Sequence, residues 1–113
     1  MKIDYSKQLG KKLITKGHQK ICVHIKNIMY IQCHGGLATL FLHDESKVED
    51  IKSLKAFEED LCEMGFIRIS RNTIVNVKYI TKIDTNRDKK IVYLKEIMLE
   101  ASRRRLAFLR KCL

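Results

Sequence analysis

Residues 66–80 read FIRISRNTIVNVKYI, and this stretch decides the fold. Its first five residues are rich in β-formers, which predicts a strand there. Arg71 and Asn72 then predict a polar turn, and the β-branched run over 73–76 predicts the next strand. A further strand is predicted over 79–83. The stretch is therefore a strand–turn–strand unit whose turn carries a guanidinium and an amide.

More strand-forming runs lie on the N-terminal side of this unit. Apolar and polar residues alternate over 20–26, which predicts a half-buried strand. Two β-rich runs follow, at 28–33 and 37–42. His34 and two glycines separate them, a pattern typical of a hairpin turn.

The C-terminal side continues the pattern and then changes to a helix. A polar loop over 84–89 leads into a hairpin with strands over 90–94 and 97–100. Ser102 is a suitable N-cap for a final helix. The apolar stripe of that helix is Leu106, Leu109 and Leu113.

A helix is also predicted in the middle of the chain, over 53–64. Ser53 is a candidate N-cap, and Gly65 is a natural stop after the last turn. Its apolar positions have helical spacing, with acids on the other side. They are Leu54, Phe57, Leu61 and Met64.

Two other segments are less well defined. Ser46 and Glu49 have the spacing of a capping box, so 48–51 is either the first helical turn or a short strand. Residues 1–16 are rich in Lys and weakly patterned. We interpret them as a basic arm with a short strand at most.

Length and composition limit the class of protein. The chain has 113 residues, of which 45% are hydrophobic, so we expect one domain with a packed core. No apolar run approaches the roughly 18 residues of a membrane span. The N-terminus lacks the apolar segment of a secretory signal. These features predict a cytoplasmic protein without membrane insertion.

The formal charge of +10 is unevenly distributed. Residues 1–43 carry a net +6, from seven Lys and one Asp. Residues 44–63 carry −5, from eight acids and three Lys, and residues 64–113 carry +9, from thirteen bases and four acids. Such a pattern predicts a folded body whose basic segments meet on one face. Charge alone does not choose between nucleic acid, an anionic membrane surface, an acidic partner and simple solubility.

The sharpest local feature is the sequence Ser-Arg-Arg-Arg at 102–105. Cations at a helix N-terminus oppose the helix dipole, so a sequence selected only for stability would place acids there. Free N–H groups and three guanidiniums suit phosphate, and Arg also binds guanine in the major groove. The alternative is that these Arg pair with acids of the middle helix.

Two further segments could bind a ligand. Residues 68–72 end a strand at a turn with two Arg, and such turns on a rigid sheet can read a groove. Residues 32–36 combine His34 with a glycine pair that permits close backbone approach. For the second segment, an ordinary hairpin is the simpler interpretation.

Catalytic and metal chemistry have little support. The sequence contains no nucleophile elbow, phosphate-binding loop, zinc-protease motif or dinucleotide fingerprint. Cys33 and His34 are adjacent on a predicted strand and point to opposite faces, so we expect no enzyme. Zinc bound by Cys22, His24, Cys33 and His34 is an alternative with unusual spacing. Otherwise buried thiols are expected at Cys22, Cys33, Cys62 and Cys112.

Together these segments resemble the LytTR family of DNA-binding domains. Residues 66–80 match the family pattern F-x-R-x-H-R-S-x-x-V-N-x-x-x-I, with Ser70 in place of its His and Asn72 in place of its Ser. The closing S-R-R pattern is matched at 102–104. Segments 53–61 and 28–32 also look like their family counterparts, in the right order and spacing.

The resemblance implies a mainly β fold with a minor α part. It implies an elongated arrangement of small antiparallel β-sheets with one middle helix and a short C-terminal helix. The LytTR-like domain would cover residues 17–113, after a basic N-terminal arm over 1–16. The family also places a strand before the middle helix, which favours a strand over 47–51.

The resemblance further implies sequence-specific double-stranded-DNA binding by a bacterial transcription regulator, with loops inserted into successive major grooves. Bases would be contacted from three places: the loop over 34–37, the turn with Arg71 and Asn72, and the start of the C-terminal segment at Arg104. Arg71 and Arg104 would read base edges. The DNA backbone would be positioned by Arg103, Arg105, Lys78 and Asn72. The full set is His34, Gly36, Leu37, Arg71, Asn72, Lys78, Ser102, Arg103, Arg104 and Arg105.

The resemblance also suggests partners. Direct-repeat promoter sites and pairing of two domains on DNA are expected, with no cofactor and no metal. Residues 1–16 are too short for a receiver domain, so the chain is either a stand-alone regulator or a fragment. A membrane protein or a kinase is a candidate regulatory partner. The alternative function is a protein-interaction module that docks an acidic partner through its basic face.

Overall fold

The computed structural model describes residues 11–16, 18–86 and 88–112. Within these ranges the chain forms ten strands, two α-helices and three short 3-10 turns. The strands are arranged in three antiparallel sheets of two, five and three strands. The expected mainly β class with a middle and a C-terminal helix is confirmed.

The five-stranded sheet is the centre of the molecule. Its strand order is β5–β4–β3–β7–β6, so the predicted strand–turn–strand unit (β6 and β7) pairs directly with the early hairpin (β3 and β4). The turns of these two hairpins therefore lie at the same end of the sheet. The strands are β3 (Ile28–His34), β4 (Leu37–Leu42), β5 (Lys47–Asp50), β6 (Phe66–Arg68) and β7 (Thr73–Asn76).

Two smaller sheets flank the central one. The first is a hairpin of β1 (Lys11–Lys16) and β2 (Gln19–His24). The second contains β8 (Lys82–Asp84), β9 (Lys90–Leu94) and β10 (Ile97–Ala101), with β9 in the middle.

The middle helix, α1 (Leu54–Leu61), forms for the reasons expected from its sequence. The Ser53 side chain accepts a hydrogen bond from the Ala56 amide at 3.1 Å, which caps the first turn. A 3-10 turn at Cys62–Met64 follows, and Gly65 ends it with φ +83°. A side chain is strained at that φ, so glycine suits the position.

The central sheet separates two cores. Neighbouring residues such as Ile74 and Val75 belong to different cores, because successive side chains on a strand point to opposite faces. One core lies under α1 and the β1–β2 hairpin and includes Ile14 and Phe57. The other lies under the three-stranded sheet and the C-terminal helix, α2 (Arg103–Cys112).

Strand β3 contains a register irregularity that affects which side chains reach each core. Its pairing with β4 shifts register between Ile28 and Tyr30, so Met29 and Tyr30 both reach the second core. Tyr30 stacks on Phe41 with ring centroids 4.2 Å apart. Burial raises the pKa of the Tyr30 phenol, because the charged form would lose its hydration.

The arrangement is elongated, with extents of 46 × 27 × 24 Å. Stacking small sheets on both faces of one central sheet accounts for this shape, and the expected elongated architecture is confirmed.

The segment before α1 is a strand, as the family resemblance implied. Lys47–Asp50 forms the edge strand β5, paired with β4. The alternative helical start at Ser46 is wrong, because the Ser46 amide and hydroxyl both bind the Asp44 carboxylate in a local turn. These hydrogen bonds lower the pKa of Asp44.

The basic arm predicted over 1–16 is described only in part. Lys11–Lys16 is the short strand anticipated there, and it pairs with β2 along its whole length. Ile14 is fully buried in the first core, so this strand is part of the folded body. The first ten residues lie outside the described ranges.

Three predicted strand boundaries are wrong. The strand expected over 79–83 is a 3-10 turn at Val77–Tyr79 followed by β8. The strand over 20–26 ends at His24, before another 3-10 turn. The strand that begins at Phe66 ends at Arg68 and not at Ser70, although the Ile69 amide still donates to the Thr73 carbonyl at 3.0 Å.

Candidate nucleic-acid interface

The first candidate element is the turn between β3 and β4. Gly35 and Gly36 have φ values of +57° and +81°, as a tight hairpin of primed type requires. His34 pairs with Leu37 across the turn, and both side chains are exposed. The turn thus presents an imidazole and an apolar side chain at one end of the central sheet.

The second element is the turn over 70–72, between β6 and β7. The Ser70 hydroxyl donates to the Asn72 side-chain oxygen at 2.9 Å, and the Thr73 hydroxyl donates to the same oxygen at 3.0 Å. Because both hydroxyls use the oxygen, the amide nitrogen of Asn72 is the group that an external acceptor would meet. Arg71 is exposed at the tip.

Main-chain hydrogen bonding joins these two turns. The Cys33 amide donates to the Asn72 carbonyl at 2.9 Å. One residue further along, the Gln32 side chain donates to the Thr73 hydroxyl at 3.3 Å. The 34–37 and 70–72 turns are therefore held side by side.

The third element is the start of α2, which is bonded to the second. The Ser102 amide donates to the Ile69 carbonyl at 2.8 Å. The Ser102 hydroxyl caps the helix by accepting from the Arg105 amide at 3.1 Å. Leu106 and Leu109 anchor the helix in the second core. The helix N-terminus is thereby fixed beside the 70–72 turn.

The three Arg at the start of α2 differ in their surroundings. Arg103 and Arg104 are exposed. Arg105 is partly covered, and its Nη1 lies 3.3 Å from Glu58 Oε2 on α1. The alternative that these Arg pair with acids of the middle helix is therefore right for Arg105.

Lys78 is not brought to this group. It lies in the 3-10 turn after β7, at the opposite end of that strand from Asn72. Its Nζ sits 5.3 Å from the centre of the Tyr79 ring. The other predicted site residues occupy the three joined elements, and we name that surface the loop end: residues 34–37, 70–72 and 102–105.

Sequence reasoning missed how the loop end is supported. Arg68 was seen only as part of a basic turn, yet its Nε donates to the Ser70 carbonyl at 3.0 Å and its Nη2 to the Arg71 carbonyl. Its Nη1 lies 3.6 Å from Glu58 Oε1. The Arg in the F-x-R pattern marked the position, but pairing with Glu58 depends on tertiary structure.

The alternative chemistries have no geometric support in the described ranges. There, no group of three or more His, Cys, Asp or Glu side chains could hold a metal ion. The expectation of buried thiols is wrong for Cys22 and Cys62, which are exposed, while the side chain of Cys112 lies outside the description. No described helix has the length and apolar character needed to cross a membrane.

Comparison with known proteins agrees with this geometry. The model of the LytTr DNA-binding domain family matches residues 4–113. Among curated proteins, none matches the chain significantly. One similar solved structure is the LytTr DNA-binding domain of a Bacillus cereus protein described as a methyl-accepting/DNA response regulator. It is 22% identical, covers 90% of this chain and 94% of its own, and has a TM-score of 0.76, which shows a shared fold. The chain therefore belongs to the LytTr family, a family of DNA-binding domains of bacterial response-regulator-type transcription regulators and not of enzymes.

Proposed function

We propose that this chain binds double-stranded DNA sequence-specifically through the loop end. One observation carries the proposal: two main-chain hydrogen bonds, Cys33–Asn72 and Ser102–Ile69, join three exposed polar elements into one surface. A rigid surface of this kind can present several side chains to one groove at once, which base readout requires.

Arg71 and Arg104 are the proposed base readers. Both are exposed and lie on neighbouring elements of the loop end. A guanidinium can donate two hydrogen bonds to the O6 and N7 atoms of guanine in the major groove. Leu37, which is 36% exposed, suits apolar contact with a thymine methyl group.

Phosphate contacts would come from the groups around the readers. The N-terminus of α2 offers N–H groups and a positive dipole end, and Arg103 adds a charge beside them. The amide nitrogen of Asn72 and the imidazole of His34 are further donors. Two residues are not proposed to contact DNA. Arg105 is paired with Glu58, and Lys78 lies away from the loop end.

The proposal includes the arrangement of the DNA site. Two domains would occupy two half-sites of a direct repeat, with major-groove contacts from each. Gel-shift titration of a duplex with one half-site and of a duplex with two tests this directly. A second retarded band on the longer duplex is the expected result.

The decisive experiment compares Arg104→Ala with Lys111→Ala, which removes the same charge from an exposed position near the other end of α2. A cognate duplex, selected from the region upstream of the gene, and a scrambled duplex are titrated by fluorescence anisotropy. Loss of one bidentate contact should weaken cognate binding by about 1–3 kcal/mol and reduce the cognate-to-scrambled ratio. Lys111→Ala should lower both affinities slightly and leave the ratio unchanged.

An unchanged ratio in Arg104→Ala would contradict the assignment of this residue. Binding should also weaken steeply with salt, because each neutralised phosphate releases counterions. If no duplex binds at low salt while an acidic protein does, the basic surface serves the alternative, protein-docking function.

A further inference from the structure

Glu58 is an acid that lies next to the proposed DNA-binding surface. It lies on α1, outside the loop end, and its side chain is 31% exposed. Each carboxylate oxygen faces a guanidinium from a different element: Oε1 faces Arg68 Nη1 at 3.6 Å, and Oε2 faces Arg105 Nη1 at 3.3 Å. One carboxylate thus bridges β6 and α2.

Each of these two Arg is attached to a reading element. Arg68 donates to the main-chain carbonyls of Ser70 and Arg71, so it holds the turn that carries a base reader. Arg105 follows Arg104 directly on the first turn of α2. The bridge from Glu58 therefore reaches the backbone next to both proposed readers.

We propose that Glu58, acting through Arg68 and Arg105, is a positioning residue that sets DNA sequence discrimination without touching DNA. The proposal rests on the proposed function of the loop end. Partly exposed ion pairs contribute little to stability, so the bridge matters for geometry. It fixes the spacing of two readers on separate elements, and a preorganised pair loses less freedom on binding than a mobile one.

The bridge has a cost for affinity that makes the proposal testable. A carboxylate close to the duplex repels phosphate, and it also occupies two guanidiniums that could otherwise bind phosphate. Removing its charge should therefore strengthen binding to any duplex while weakening discrimination. A residue that mattered only for folding or only for charge would not raise the affinity for any duplex and lower the discrimination between sequences at the same time.

The matched variants are Glu58→Gln and Glu59→Gln. Glu59 is the exposed neighbour on the same helix, so its substitution removes the same charge outside the bridge. In Glu58→Gln, affinity for a scrambled duplex should rise and the cognate-to-scrambled ratio should fall about fivefold, as expected for residues coupled in one ion-pair network. In Glu59→Gln, the scrambled affinity should rise by a small amount and the ratio should stay constant.

A charge-conserving variant separates position from charge. Arg68→Lys keeps the cation, but an ammonium lacks the planar fork that contacts Glu58 and two carbonyls together. For Arg68→Lys, the cognate-to-scrambled affinity ratio should fall, while the salt dependence of DNA binding should equal that of the wild type. In two-dimensional NMR spectra, Glu58→Gln should shift the amide signals of both 70–72 and 103–105, and Glu59→Gln should shift neither group.

The outcomes distinguish this inference from the function on which it rests. Thermal unfolding of each variant first establishes that it is folded. If the wild type does not discriminate cognate from scrambled DNA, the proposed function fails. If the wild type discriminates and both Glu58→Gln and Arg68→Lys keep its ratio, only the positioning role of Glu58 is overturned.

Discussion

The two ends of strand β7 each have an asparagine, and the two residues do different work. Asn72, just before the strand, is exposed and lies at the loop end. Asn76, the last residue of the strand, is only 4% exposed. Its side chain donates to the Ile28 carbonyl at 3.0 Å and accepts from the Lys78 amide at 3.2 Å.

The surroundings of Asn76 show the same contrast. Its end of the sheet, which we name the closed end, consists of the turns at 25–27, 43–46 and 77–79. The Tyr79 hydroxyl donates to the Lys26 carbonyl at 2.7 Å, and the His43 amide donates to the Asn27 carbonyl at 2.7 Å. The closed end thus combines side-chain bonds, from Asn76 and Tyr79, with a main-chain bond from His43. At the loop end, main-chain bonds join the three elements.

If the loop end binds DNA as proposed, this small sheet separates the residues that stabilise the fold from those that bind. Side chains at the closed end are used inside the protein, so their loss should lower the free energy of unfolding. At the loop end, main-chain bonds already join the elements, so the exposed side chains of Arg71 and Arg104 should contribute less to stability. Substitutions at the two ends should therefore differ in whether they change stability or DNA binding.

The largest effect is expected for Asn76→Ala. The substitution leaves the Ile28 carbonyl and the Lys78 amide without their partner, which should cost about 2–3 kcal/mol of unfolding free energy. Urea unfolding followed by circular dichroism measures the change. At temperatures where the variant is folded, its DNA affinity should equal that of the wild type.

Asn72→Ala is the matched control for that variant. It should change the unfolding free energy by less than Asn76→Ala does, about 1 kcal/mol, because the Ser70 hydroxyl is partly exposed and the buried Thr73 hydroxyl keeps its hydrogen bond with Gln32. Its DNA affinity should fall. If the two asparagines lowered stability equally, the distinction between the ends of the sheet would not hold.

Arg71→Ala should affect binding alone. Arg68 holds this turn through main-chain carbonyls, so removing the Arg71 side chain leaves those bonds in place. We expect cognate affinity to fall by about 1–2 kcal/mol and the melting temperature to stay within experimental error. Anisotropy titration and a thermal scan on the same sample give both values. A clear drop in melting temperature would show that the side chain also supports the fold.

Tyr79→Phe should have the smallest effect and should appear only in stability. It removes one hydrogen bond, from the hydroxyl to the Lys26 carbonyl, and keeps the ring beside His43. The expected loss is about 0.5–1.5 kcal/mol of unfolding free energy. Reduced DNA binding in the folded variant would place part of the interface at the closed end.

The sequence predicted those parts of the fold that depend on local chemistry. Ser53, the helical spacing of Leu54 and Phe57, and the left-handed position at Gly65 are local features, and they defined α1 correctly. The glycine pair between β3 and β4 did the same for the hairpin. In each case the determining contacts lie within a few residues of one another.

Boundaries that depend on distant contacts were not predicted. The predicted strand over 79–83 begins too early, since Tyr79 belongs to the turn at Val77–Tyr79 and the strand itself is Lys82–Asp84. What makes Val77–Tyr79 a turn is the cap from Asn76 and the bond from Tyr79 to Lys26, a residue far away in the chain. Ser46 is different: it had the spacing of a helix cap, but a competing local bond to Asp44, two residues away, forms a turn there.

The candidate site shows the same limit. The motif placed Arg71, Asn72, His34 and the start of α2 in three separate segments, and the structure places these segments side by side. Whether they read DNA stays a prediction. The pairing of Arg105 with Glu58 was one of two alternatives that the sequence left open, since it depends on how α1 and α2 pack.

The main-chain bonds at the loop end have a consequence for how such a protein could change its target. Hydrogen bonds between backbone groups do not depend on side-chain identity. Positions 34, 71, 72 and 104 can therefore be varied together, while Cys33–Asn72 and Ser102–Ile69 keep their backbone partners. A combinatorial library at these four positions, selected against arbitrary promoters, should be rich in folded members. If the loop end reads DNA as proposed, some of these members should bind sequences that the wild type does not.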